Sequence, residues 1–417
     1  MRNFSFNLKV YTLSFTLLLL GILAPISGVL FNASSTALGL LLFSILSLVF
    51  SYRYANMLKR IPKVFLLFFS LILMYSILQY LFVGAFDYKT YLSVSFLFFI
   101  FITASLSAVV VFKIDCAILF NAIKLLVYIL ILIAFFNILT EYKFGALLYG
   151  HHKAVFPFGE PSHYALFSGI FFVAYFVFSK SLTKKLFIVA ITISLAILFP
   201  NMTLLMYGML MIILLIRINI KNLILLVVSF LILLNFVFTS KYFLNRIYIS
   251  KDSKNLSALV YLQGLDYAKR SLINTNGLGL GFQMMGTQPP LEITKLILHV
   301  LGVKNGKGVN RQDGGFLAAK IVTEFGVLGI VILIAYLVLF IKSFTYLRNI
   351  IKHKEYEKDF KLTMVNIIFY SIFVEIFVRG IGYFSPSLFI FFIAIAFLFK
   401  FNRRNNKFIF RKKMMTI

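Results

Sequence analysis

Cysteine occurs once in the 417 residues, at Cys116, which excludes an intrachain disulfide and any cysteine-rich metal site. Tryptophan is absent, leaving tyrosine as the main aromatic anchor at a membrane–water interface. Charge is sparse: 13% of the residues are charged, where a soluble domain carries about 25%. Acidic groups are sparser still, with 13 Asp and Glu against 41 Lys and Arg. No His-Glu-x-x-His pattern exists, and His151 and His152 are adjacent rather than spaced as ligands, so no metal is expected. A phosphate-cradling Walker loop is missing as well. Gly277, Gly279 and Gly281 come nearest to one, but no lysine follows and no strand-to-helix turn surrounds them. A nucleotide-driven machine is therefore not expected, nor is any other cofactor.

What fills the chain is apolar: 61% of it is hydrophobic, including 51 Phe. Water-soluble cores of this size cannot hide so much apolar surface, and several runs approach the roughly 20 residues that cross hydrocarbon as a helix. The runs lie at about 10–31, 36–51, 64–83, 91–112, 117–139, 163–179, 186–199, 202–216, 223–239, 316–341, 363–378 and 383–399. The expected fold is an all-α integral membrane protein, one polytopic domain over 1–417 with a bundle of about 12 transmembrane helices. The seventh and eighth runs touch at Pro200-Asn201-Met202 and read equally as two tilted spans or one broken hairpin. The first follows Arg2 and Lys9; it is too long for a signal-peptide core and has no clean cleavage site, so it is expected to remain as a helix.

A net charge of +28 would point to nucleic acid in a soluble protein. Here the basic residues sit between apolar runs, so membrane lipid is the expected partner and nucleic acid is not. With the N-terminus inside, 25 Lys and Arg fall on inner segments and 4 on short outer loops, namely Lys89, Lys143, Lys153 and Arg379. That asymmetry puts both termini in the cytoplasm. Ten more lie in residues 241–315, expected to form a large outward-facing loop between helices 9 and 10 that is too long to obey the charge rule. Long loops are often working parts. This one holds an amphipathic stretch near Leu256–Leu272 as well as the glycine cluster.

Few residues can carry chemistry. The loop before the sixth run reads Phe158-Gly-Glu160-Pro-Ser-His163, with Pro161 suited to a first helical turn. It is either a well-capped helix start or the lip of a cavity bearing Glu160 and His163. The long loop offers Arg246, Arg270 and Arg311, the last followed by Gln312, Asp313 and two glycines. Arginine suits diphosphate because its planar fork stays charged and binds bidentately, and glycine-rich turns let backbone amides approach an anion. Solvated surface arginines are the plainer reading. Lys320 with Glu324, and Glu375 with Arg379, are each four apart on a helix, so they read as structural ion pairs or as groups lining a wet cavity. Lys124 is isolated.

These phrases resemble one family. Phe158-Gly-Glu160-Pro-Ser-His163 is similar to the Glu-Pro-Ser signature of O-antigen polymerases of the Wzy type. Glu324-Phe-Gly326-Val-Leu-Gly329 is similar to their Glu-x-Gly-x-x-Gly pattern, and Arg270 followed by Gly281 fits an Arg-x10-Gly spacing. Arg379 with Tyr383-Phe-Ser is also similar. The likeness covers mainly residues 140–400. It implies a glycosyltransferase of the bacterial inner membrane that joins oligosaccharide repeat units carried on undecaprenyl diphosphate at the periplasmic face. Donor and acceptor are then both undecaprenyl-diphosphate-linked, and a flippase and a chain-length regulator are implied partners. For that chemistry the residues above offer Arg270, Arg311 and Arg379 as expected anion binders with Arg246 in reserve, and Glu160, then His163, then Asp313 as the expected base. Three other readings compete: an O-antigen ligase, a lipid-linked oligosaccharide flippase or other transporter, and a scaffold. Ligases usually carry a histidine before the helix equivalent to the tenth, where Gln312-Asp313 stand here.

Overall fold

A computed structural model describes residues 2–31, 36–51, 63–84, 88–149, 154–216, 255–301, 311–353 and 359–401. No strand occurs among them, only an isolated bridge between Val155 and Phe158. The long helices are α1 (Arg2–Leu30), α2 (Ala37–Ser51), α3 (Lys63–Val83), α4 (Tyr88–Lys113) and α5 (Cys116–Leu139), followed by the short α6 (Lys143–Tyr149). Next come α7 (Pro161–Phe178), α8 (Leu182–Leu198), α9 (Met202–Leu215), α10 (Leu256–Asn274) and α11 (Glu292–Val300). The chain closes with α12 (Leu317–His353), α13 (Phe360–Ser371), α14 (Phe373–Phe377) and α15 (Pro386–Phe401).

Among the described residues, seven helical stretches are long and apolar enough to cross a membrane: Ser5–Leu30, Phe65–Val83, Thr90–Lys113, Cys116–Leu139, Pro161–Phe178, Leu317–His353 and Phe360–Phe377. Ala37–Val49, Met202–Leu215 and Pro386–Phe399 are apolar but shorter. The chain is thus all-helical and multi-pass by helix length and composition. The expected count of about 12 goes further than this; its ninth run, 223–239, lies outside the described residues. At Pro200 the two adjoining runs are separate helices packed as a hairpin, because Asn201 caps α9 by accepting from the amides of Thr203 and Leu204 at 2.9 and 3.3 Å.

The centre of the bundle is α7. Every residue from Tyr164 to Phe178 is buried, against α5, α8, α9, α13 and α15. Gly169 admits the ring of Tyr207 from α9, since a Cβ there would stand 2.2 Å from it. Outer helices show the reverse pattern: α12 exposes Val327, Val331, Ile334, Val338 and Ile341, a stripe suited to lipid.

One long helix is interrupted. Inside α12, Gly326 adopts φ 55° and ψ −131°, breaking the ladder of backbone hydrogen bonds. The freed groups are met by the segment after α10. Leu280 N and Gly281 N donate to Thr323 O and Glu324 O, both at 3.0 Å, and Val327 N donates to Gly277 O at 2.8 Å. Side chains supply the rest. Gln79 donates to Glu324 O at 2.6 Å, Ser271 to Thr323 O at 2.6 Å, and Tyr75 to Phe325 O at 3.2 Å. The described part of the expected long loop therefore holds two helices, α10 and α11, and is pressed along α12.

Contact here is backbone to backbone. A Cβ at Gly326 would stand 1.9 Å from Gly277 O, at a positive φ that L side chains disfavour. Gly326→Ala is expected to cost more than about 3 kcal/mol and to lower the thermal midpoint of detergent-solubilised protein sharply. Gly84 also has a positive φ but nothing within 4 Å of an added Cβ, so Gly84→Ala should cost only about 1–2 kcal/mol.

Candidate functional site

The Glu-Pro-Ser phrase is held from three sides. Asn137 of α5 takes the place of a peptide partner: its Oδ1 accepts from Phe156 N and its Nδ2 donates to Phe156 O, both at 2.7 Å. Tyr149 of α6 donates to Pro157 O at 2.6 Å, and Asn201 donates to Pro161 O at 2.6 Å. The Phe156–Pro157 peptide is cis. These anchors deliver Glu160 and His163 to the start of α7. Glu160 occupies the cap position but makes no capping hydrogen bond. Its Oε2 instead accepts from the Ser162 hydroxyl at 2.9 Å and pairs with Arg379 Nη2 at 3.3 Å.

Arg379 stands just past α14, where the chain leaves the helix; its own amide reaches back to Val374 O. This departure turns Arg379 away from Glu375, so the expected pairing of Glu375 with Arg379 does not form. Glu375 is fully buried, with Ser385 and Ser387 near it in poorer hydrogen-bond geometry. After Arg379 the chain runs as a strap across the start of α12. Gly380 N donates to Gly315 O at 2.9 Å, and Gly382 lies so close to Asp313 that a Cβ there would be 2.5 Å from its Oδ1.

Behind Asp313 lies Lys320, 1% exposed. Its ammonium reaches Gln312 O at 2.6 Å, Gln283 Oε1 at 3.0 Å and Asp313 Oδ1 at 3.1 Å. Glu324 Oε1 is farther, at 3.8 Å. The expected Lys320–Glu324 pair is thus present, but Asp313 is the nearer carboxylate. The His163 ring lies in the fields of Glu160, Arg379 and Asp313, and its buried Nδ1 has no hydrogen-bond partner among the described residues. His163 also borders a narrow slot lined by Ala24 and Pro25 of α1, Phe167, Ile381 and Ser387.

Glu160, His163, Asp313 and Arg379 are therefore brought together, at the end of the bundle where α7 and α12 begin and α14 ends. Arg311 is close in sequence but committed elsewhere, donating to Gly286 O at 3.3 Å and Gln288 O at 2.5 Å. Arg270 lies on α10, half-buried, with no hydrogen bond or ion pair among the described residues. Arg246 lies outside the described residues. Gln283 and Gly382 are absent from the sequence-based candidates, Tyr383 enters there only through the phrase it shares with Arg379, and Lys320 enters as a partner of Glu324 or a group lining a wet cavity. No local pattern marks Gln283 or Gly382, and Gln283 has a positive φ of 63°. Among the described residues no group of His, Cys, Asp and Glu could hold a metal ion. Scans of protein-family models, of characterised proteins and of solved structures return no match to the chain.

The electrostatics of Glu160 are distinctive. Burial alone would raise its carboxyl, but the charges of His163 and Arg379 and the hydrogen bonds from Ser162 and Arg379 outweigh it and hold the group at about 2. A carboxylate so stabilised is a weak base and a firm anchor for Arg379. Because the folded value lies below the ordinary value of about 4.3, the stability contributed is fully present above that value and is lost as pH falls toward 2. Thermal unfolding in detergent from pH 6 to pH 2 should show this acid-side loss, and Glu160→Gln should flatten it.

Proposed function

We propose that the chain is an O-antigen polymerase of the Wzy type, transferring a glycan from undecaprenyl diphosphate to a hydroxyl of an incoming lipid-linked repeat unit at the periplasmic face of the inner membrane. The observation that carries this reading is the meeting of Arg379, Glu160, His163 and Asp313 at one end of an apolar bundle. It rests also on the resemblance of the Glu-Pro-Ser and Glu-x-Gly-x-x-Gly phrases.

The chemistry needs little. The anomeric carbon–oxygen bond to the diphosphate breaks, a bond from the acceptor hydroxyl oxygen to that carbon forms, and undecaprenyl diphosphate leaves with its electron pair. Leaving-group charge is stabilised by Arg379, which is 20% exposed and so open to an anion. Glu160 keeps that guanidinium in place. The hydroxyl proton passes to His163, since Glu160 is held as a weak base by its ion pair with Arg379, and Asp313 offers a negative charge to the ring once protonated. Arg311, tied to two carbonyls, shapes the loop.

A flippase reading gains one observation, the interrupted helix α12, since transporters place substrate at broken helices. Here the break is filled by the amides of Leu280 and Gly281 rather than opened to a cavity, which favours the enzyme.

Deleting the gene and running surface polysaccharide on a gel separates the readings. A ladder collapsed to core plus one repeat unit is expected; loss of the single-unit band too would indicate flipping or ligation instead. Arg379→Ala and Arg379→Lys should both cut polymer by about 10²-fold or more, because a point-charge ammonium does not replace the fork. If His163→Ala and Glu160→Gln both leave polymer length and amount unchanged, the site assignment fails.

A further inference from the structure

Lys320 lies one turn inside α12 and is 1% exposed, so no substrate reaches its ammonium. The group has three N–H donors, and three acceptors stand within 3.1 Å of it, contributed by Gln312 O, Gln283 Oε1 and Asp313 Oδ1. Glu324 takes its hydrogen bond from Met285 N at 3.3 Å and contributes a second negative charge at 3.8 Å. The Tyr383 ring covers another side, its centre 5.2 Å from the ammonium. Of the two carboxylates around Lys320, Glu324 is sealed at 0% exposure, whereas Asp313 is 37% exposed and faces outward. Gly382 closes the far flank of Asp313, and the carboxylate's charge falls on the His163 ring.

We propose that Lys320 is a positioning residue that fixes the Asp313 carboxylate in place near His163. Resting on the polymerase reading above, this gives Lys320 a role in the reaction without contact to substrate: the fixed carboxylate stabilises the imidazolium formed when His163 takes the acceptor's proton. The sealed Lys320 ammonium needs a counter-charge, because a lone charge is costly in a low-dielectric interior, and Asp313 is the nearer carboxylate. An uncharged side chain of similar length would leave Asp313 free to turn.

The test is a double-mutant cycle in the full-length, membrane-embedded protein, with polymer yield normalised to the amount of folded protein recovered in detergent. Lys320→Met and Asp313→Asn are each expected to lower yield by about tenfold or more. The double variant should then fall within about threefold of Asp313→Asn alone, because the target of Lys320 has already been lost. In proteoliposomes supplied with the lipid-linked repeat unit, Lys320→Met should lower kcat and leave KM within about threefold, since the missing interaction belongs to the transition state. Should Lys320→Met not insert, Lys320→Met with Glu324→Gln removes one charge of each sign and carries the same comparison. Additive losses, or a fully active Lys320→Met, overturn the proposal. A fully active Asp313→Asn overturns it as well, while an unchanged ladder on gene deletion overturns the polymerase reading itself.

Discussion

A backbone amide or carbonyl left open in hydrocarbon costs several kcal/mol, and the break at Gly326 in α12 brings that constraint into the described bundle. The freed carbonyls of Thr323, Glu324 and Phe325 find partners in two loop amides and in side chains of α3 and α10. Satisfying them ties the glycine segment after α10 into the bundle. That attachment in turn carries Gln283 and Met285 to Lys320 and Glu324. The polar site thus depends on a backbone repair: without the break at Gly326 there would be no reason for the loop to enter, and without the loop Lys320 would lack one of its three acceptors.

Charge is distributed by the same logic. Ionised groups inside a bundle need partners, and here the closest of them come from outside the helix that carries the group. Arg379 crosses to Glu160, and Lys320 leans on Asp313 more closely than on Glu324. The consequence is a graded arrangement. Lys320 and Glu324 are sealed, Asp313 and Arg379 are partly open, and Glu160 is half-exposed at the rim. Lys320 of the sealed layer holds Asp313, whereas Arg379 is held by Glu160 at the rim.

How much of this was legible in the chain differs by feature. Apolar runs marked eleven helical regions, because a helix in lipid must be apolar along its length, but α1 begins eight residues before its run and α12 continues twelve residues past its run. Pro161 and the phrase around it located the start of α7, and Glu160, His163, Asp313 and Arg379 were singled out as unusual groups near apolar runs. Spacing misled where helices end. Glu375 and Arg379 are four apart, yet α14 stops at Phe377, so the face they would share does not exist. Arg311 read as an anion site but satisfies loop carbonyls, a role set by a fold that brings residues 286–288 beside it.

By itself, then, the sequence determined an all-helical, apolar chain, the start of α7, and a short set of chemically able residues, because hydropathy, proline and charge act locally. Only the tertiary structure decided which of those residues meet. The acceptors of Lys320 come from positions 283, 312 and 313, and the Glu160–Arg379 pair joins groups 219 residues apart. Contacts over such separations follow from helix packing and from the repair at Gly326, and neither is written in any local pattern.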